Sequence, residues 1–311
     1  MSQSIKVFAP ATVANVVCGF DVLGFAVDAP GDEVEMHLTD RTDVRILEIT
    51  GDDGRLPKDA EKNTVSASVQ YYLKHVGRED VGVDIKLHKK MPIGSGLGSS
   101  SASTVAGLFA INVLMGNLLT QDELVPFAMK GEELACGYGH ADNVAPALLG
   151  GFVLVRSYEP LDIIRLPYPE DLYCAIVFPE IDVPTRDARA LIRSKVLLKD
   201  AVTQWGNVAG LVSGLFMKDI DLIGRSMQDV LIEPVRSILI PDFYRLRELA
   251  LEQGAVSFGI SGSGPSIFSF CRDEQTANNV VAAVRKHLLW LDTESHQYIS
   301  TINANGPKIL D

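Results

Sequence analysis

The sequence predicts an α+β protein of two domains, and three observations carry that expectation. Alternating, strand-like segments come first and helical periodicity follows around one glycine-rich loop, unlike the regular strand-helix alternation of a doubly wound parallel sheet. A chain of 311 residues, 47% hydrophobic and 22% charged, is long and apolar enough for two packed domains. Near the C-terminus, strand-like segments flank a second glycine-rich turn and a helix follows, the order of a small β-α-β sandwich of the ferredoxin kind.

Ile5 to Ala9 has strand character, and Pro10 is expected to end it. The run from Ala11 to Gly24 is apolar except at Thr12, Asn15 and Asp21. Polar groups in such surroundings must be paired locally or face a polar ligand. Glu33 to Thr39 and Val44 to Thr50 alternate as strands, with a turn at Asp40 to Asp43. Asn63 caps a helix to about His75, and Gly82 to His88 alternates again as a strand leading into the glycine loop.

That loop runs Pro92-Ile93-Gly94-Ser95-Gly96-Leu97-Gly98-Ser99-Ser100-Ser101-Ala102-Ser103. Alternate glycines remove the Cβ atoms that would keep the backbone from a ligand and permit the positive φ angles that turn N–H groups inward. The serines are expected to cap a helix from about Ser100 to Met115, whose uncompensated N–H groups and positive dipole end favour an anion, above all phosphate. No lysine follows as in a Walker A loop, and Ser99 breaks the dinucleotide pattern. A flexible linker would not join an alternating strand to an uncharged helix.

Beyond the loop, a helix begins at Thr120 or Asp122 and continues through Glu132, Glu133 and Ala135. His140, Asp142 and Asn143 concentrate polar chemistry just before Gly150-Gly151. Strands follow at Gly151 to Ser157 and Leu172 to Phe178, with a proline-rich boundary from Pro160 to Pro169 between them. Thr185 is placed to cap a helix that points Arg189 the same way. Helical periodicity covers Asp200 to Phe216, Asp219 to Val230 and Pro241 to Glu252, interrupted by Ile232 to Arg236. Ala255 to Ile260 and Ile267 to Cys271 are strands around Ser261-Gly262-Ser263-Gly264-Pro265-Ser266; a helix from Glu274 to Leu289 and a strand from Tyr298 to Ile302 close the chain.

Charge and cysteines narrow the function. A net charge of -12 disfavours nucleic acid and anionic membranes, which need basic faces. Cys18, Cys136, Cys174 and Cys271 are far apart and suit buried free thiols; with no secretory h-region at the N-terminus, the expected location is the cytoplasm. The charge-free stretch between Lys90 and Asp122 contains Pro92 and several glycines, which suits a core helix and not a membrane span.

Taken together, these motifs can be matched. Pro92 to Ala102 resembles the central loop of the GHMP kinases, the family of galactokinase and of the homoserine, mevalonate and phosphomevalonate kinases. Ser261 to Ser266 is similar to the C-terminal glycine motif of that family. Ala9 to Asn15 with Gly19 to Asp21, His140 to Gly151, and Thr185 with Arg189 resemble its homoserine-phosphorylating branch. The resemblance spans the whole chain. It implies the GHMP kinase fold, with a domain like ribosomal protein S5 domain 2 over residues 1–167 and a ferredoxin-like domain over 168–311. It also implies ATP and Mg²⁺, conversion of L-homoserine to O-phosphohomoserine in threonine biosynthesis, and a homodimer.

By motif match, Pro92, Ile93, Gly94, Ser95, Gly96, Leu97, Gly98, Ser99, Ser100, Ser101 and Ala102 would hold ATP. Ser100 and Glu133 would hold the metal, with Glu132 in its place if the alignment shifts by one. Asn15, Asp21, His140, Arg189 and Arg236 would bind homoserine, with Thr185 beside them and Gly262 and Gly264 completing the site. Asp142 and Asn143 fall where sister kinases carry a catalytic aspartate, and Thr12 where several carry a lysine, so a strong base is not implied. Two arginines for one carboxylate, and Asp21 for an ammonium, suit an amino acid better than mevalonate or a sugar. A non-catalytic sensor of the same fold would be expected to have lost Ser100 or the helix glutamate.

Overall fold

The computed structural model describes residues 4–137 and 139–310, apart from the side chains of Ala135, Cys136, Thr185 and Arg186. The first half contains β1 (Ser4–Ala14), β2 (Leu23–Thr39), β3 (Val44–Thr50), α1 (Thr64–His75), β4 (Gly82–His88), α2 (Ser99–Leu114), α3 (Gln121–Cys136), α4 (Ala141–Leu149), β5 (Phe152–Tyr158) and β6 (Leu161–Leu166). The second contains β7 (Tyr173–Pro179), α5 (Thr185–Ala190), α6 (Leu198–Met217), α7 (Ile220–Ser226), α8 (Glu233–Arg236), α9 (Phe243–Glu252), β8 (Gly259–Ile260), β9 (Ile267–Cys271), α10 (Glu274–Trp290), β10 (Ser295–Thr301) and β11 (Lys308–Leu310).

The first sheet runs β11-β1-β2-β4-β3, with β5 and β6 added beside β2. Pro10 does not end β1: the strand carries on to Ala14 through a register shift between Pro10 and Thr12, the irregularity a strand proline requires. The turn at Asp40 to Asp43 does not make a hairpin, because β4 lies between its two strands and pairs with β3 in parallel. Side-chain alternation reports a strand but not its neighbour. Asn63 caps α1 through its side chain, which accepts the Val65 N–H, and Thr120 with Glu123 forms a capping box for α3.

The second sheet is antiparallel, in the order β10-β7-β9-β8, with α9 and α10 packed beside it. That order, threaded β-α-β-β-α-β, is the ferredoxin-like arrangement. The two halves are not separate in their cores. One apolar cluster runs from Val7 and Leu108 to Phe268 and Phe270, and Phe25 of β2 meets Phe270 of β9 with ring centroids 5.1 Å apart. The chain also crosses back at its end, where β11 pairs with β1, Lys6 opposite Leu310. The proline-rich segment beginning at Pro160 includes a strand, β6, paired with β5. Among the described residues no helix is long and apolar enough to cross a membrane.

Candidate active site

β4 delivers the chain into the glycine loop, and α2 leaves it at Ser99, capped by Gly98 with φ +66° and by no side chain. The serines therefore do not cap, and the first N–H groups of α2 remain available to an anion. Gly94, Gly96 and Gly98 all have positive φ, but for different reasons. A Cβ on Gly94 would meet nothing within 4 Å. One on Gly98 would lie 2.1 Å from Thr12 Oγ1, and one on Gly96 2.6 Å from Ser261 O and 2.7 Å from Gly264 O. The smallness of Gly96 thus serves the second glycine turn, which packs on the loop: the Ser266 N–H donates to Ser95 O at 3.1 Å and Ser261 Oγ to Gly96 O at 2.7 Å.

A cavity of about 470 Å³ opens along the loop. Of the loop positions expected to hold a nucleotide, Ile93, Gly94, Ser95, Gly96, Gly98, Ser99, Ser100 and Ser101 line it, while Pro92, Leu97 and Ala102 do not. Leu97 and Ala102 are wholly buried in the core, anchoring the loop from below. Gly264 is absent from the lining too; it supports Gly96, whereas Gly262 lines the cavity. Leu56, Pro57 and Asn63, from the segment before α1, add a partly apolar wall that no motif announced.

Of the two helix glutamates named as candidate metal ligands, Glu132 and not Glu133 reaches the cavity. Glu133 is half exposed, forms an ion pair with Lys130 at 2.6 Å and does not line the cavity. Glu132 is 5% exposed and does line it, with Oε1 unpaired by any hydrogen bond among the described residues. Burial raises its pKa, opposed by the hydroxyls of Ser100 and Ser101 beside it. A buried carboxylate with a spare oxygen next to serine hydroxyls fits a hard divalent cation, which takes oxygen donors and completes its shell with substrate phosphate and water. No group of three or more His, Cys, Asp or Glu suited to a metal occurs among the described residues.

The remaining lining residues form a charged group. Asn15, Val16 and Val17 have φ of 71°, 43° and 63°, a left-handed run that includes two β-branched residues, and Asp21 follows at 60°. Such backbone is held only when its surroundings over-determine it. Here Asn15 Nδ2 donates to Gly262 O at 2.8 Å, and its Oδ1 accepts the Asp21 N–H at 3.0 Å. Asp21 is thereby aimed at Arg189, whose guanidinium donates to Oδ2 at 2.9 Å, with His140 Nδ1 3.9 Å from Oδ1. Arg236, 4% exposed, donates to Gly262 O at 2.9 Å. The Phe20 ring lies against both guanidinium groups, 5.2 Å from Arg236 and 5.6 Å from Arg189. Burial lowers the pKa of His140 and of Arg236. The side chain of Thr185 lies outside the described residues; its backbone begins α5, capped by Pro184.

Asn143 lines the cavity and accepts a hydrogen bond from Thr12 Oγ1 at 2.8 Å, a contact between two neutral side chains. Asp142, 2% exposed, has no hydrogen-bond partner for Oδ1 among the described residues, and burial, reinforced by the charge of Asp21, pushes its pKa up to about 7.

The chain matches the family models described as GHMP kinases N terminal domain, over residues 63–151, and GHMP kinases C terminal, over 210–288. The homoserine kinase of Chloroherpeton thalassium is 47% identical, over 99% of this chain and 100% of that protein. The chain belongs to the homoserine kinase family. A crystal structure of homoserine kinase from Cytophaga hutchinsonii is similar throughout, with 59% identity, a TM-score of 0.97 and coverage of 100% of this chain and 98% of that one. The mevalonate kinase of Methanococcus jannaschii, 15% identical with a TM-score of 0.72 over 97% of this chain and 99% of that one, shares the fold alone. Phe20, inside the quoted Gly19 to Asp21 motif, and Lys89, which no motif marked, also line the cavity. The buried charge of Lys89 carries no local signature in the sequence.

Proposed function

We propose that the protein transfers the γ-phosphoryl group of ATP to the side-chain hydroxyl of L-homoserine, giving O-phospho-L-homoserine and ADP. The observation that carries this reading is one cavity lined both by a glycine loop feeding an uncapped helix and by Asp21, Arg189 and Arg236. Asp21 would take the substrate ammonium, and the two guanidinium groups its carboxylate. The Asp21–Arg189 pair keeps these opposite charges adjacent, the complement of a zwitterion.

Loop N–H groups would bind the triphosphate, and Ser100 with Glu132 would hold Mg²⁺, which supplies charge neutralisation. The hydroxyl oxygen would bond to the γ-phosphorus as the bond to the β–γ bridging oxygen breaks, and the hydroxyl proton would pass late to water, leaving ADP and the phosphate ester. A loose transition state depends mainly on positioning and electrostatics, so the neutral Thr12–Asn143 pair is compatible with turnover. The reading includes a homodimer, supported by the uncharged face of α6 where Leu198, Val202, Trp205 and Phe216 are exposed, and a cytoplasmic location, supported by Cys18, Cys174 and Cys271 being buried free thiols.

A coupled ADP-release assay with Mg-ATP and homoserine, mevalonate or galactose tests the assignment. Turnover on homoserine alone is expected. Turnover on another acceptor would reassign the substrate, and none on any would reduce the protein to a ligand-binding member of its fold.

A further inference from the structure

Beneath the glycine loop lies a buried charge cluster whose carboxylate, Asp32, is outside the cavity lining, although its partners Lys89, Ser99 and Ser103 reach that cavity. Asp32 of β2 is fully buried, and Lys89, just past β4, is 7% exposed; the two form an ion pair. Asp32 Oδ1 accepts the N–H groups of Lys90 at 2.8 Å and Met91 at 3.3 Å, the residues that enter the loop. Its Oδ2 accepts the hydroxyls of Ser99 and Ser103, each at 2.9 Å, in the helical turn that leaves it. Lys89 Nζ completes the cluster by donating to Ser99 O at 2.8 Å and Ser103 Oγ at 2.7 Å.

One carboxylate therefore ties both ends of the loop from Pro92 to Gly98. A buried ion pair recovers its desolvation cost poorly, and apolar side chains of similar size would stabilise such a position as well or better. Charge and geometry at this point do something packing cannot: they fix where the loop starts and stops, and so the directions of its N–H groups. Ligand-binding donors need placement within about half an ångström.

We infer that Asp32 is a positioning residue for the nucleotide phosphates, acting through Lys89, Ser99 and the loop stems. This rests on the proposed use of the loop for ATP. The expected signature is selective, because among the described residues Asn15, Asp21 and Arg236 make no hydrogen bond with the cluster.

The test uses Asp32→Asn, Lys89→Met and the double variant Asp32→Asn/Lys89→Met; Lys89 itself lines the cavity, so the share of Asp32 is read from the double variant against Lys89→Met. Calorimetric Kd for Mg-ATP, KM for ATP and for homoserine, and Tm are measured on each. The double variant should regain Tm relative to Asp32→Asn yet bind ATP at least tenfold more weakly than wild type. It should also bind ATP about threefold more weakly than Lys89→Met, and KM for homoserine should stay within twofold throughout. A double variant that binds ATP like wild type or like Lys89→Met, or equal losses for both substrates, overturns the positioning role. Wild-type protein that binds no ATP overturns the nucleotide reading instead.

Discussion

Glu132 and Glu133 are neighbours on α3, and a step of about 100° around the helix separates a buried side chain from an exposed one. Chemistry alone cannot choose between them; burial can. Glu132→Gln should lower kcat at saturating Mg²⁺ by at least tenfold, about 1.4 kcal/mol, while Glu133→Gln should leave kcat within about twofold, since an exposed ion pair such as its contact with Lys130 contributes little. Steady-state kinetics on both variants checks this, and the reverse ranking would favour Glu133 as the proposed metal ligand. The sequence narrowed the choice to two adjacent carboxylates because residue type and spacing survive a one-residue error, whereas helical phase does not.

The loop is an element in which glycine serves three different ends. Gly94 faces open cavity, so Gly94→Ala costs folding only its positive φ, about 1–2 kcal/mol, but places a methyl where a phosphate would come; weaker ATP binding with a small change in Tm is expected. Gly96→Ala drives a Cβ into the carbonyls of Ser261 and Gly264 and should instead lower Tm strongly, by prising the two glycine turns apart. Thermal melts and ATP titrations of both variants separate the cases, and matching phenotypes would contradict them. Both turns were legible as motifs. Their contact was not, because Ser261 and Gly96 are brought together only by the packing of the two halves.

At the scale of the whole molecule, Asp142 links the site to stability. Its pKa is raised to about 7 in the folded protein by burial and then by Asp21, against an ordinary value of 3.8. The folded state thus holds this proton more tightly than the unfolded chain does. Its stabilising effect is complete below about pH 4 and is lost as pH rises through about 7, up to about 4 kcal/mol for a shift of this size. Asp142→Asn should abolish that decline, so denaturant midpoints of variant and wild type should diverge between about pH 4 and pH 7; parallel profiles would show that Asp142 does not govern it.

The sequence by itself determined the α+β class, most of the helices and strands though not α4, α8, β6 or β11, and the two glycine turns. These are recorded in local periodicity, turn chemistry and motif spacing, which survive without knowledge of the partner segments. Tertiary structure decided that β4 separates β2 from β3, that β11 returns to the first sheet, that Glu132 and not Glu133 faces the cavity, and that Asp32 and Lys89 neutralise each other beneath the loop. Each of these depends on which residues far apart in the chain share one buried space. Burial sets the energy of a charge or a carbonyl more than its neighbours in sequence do.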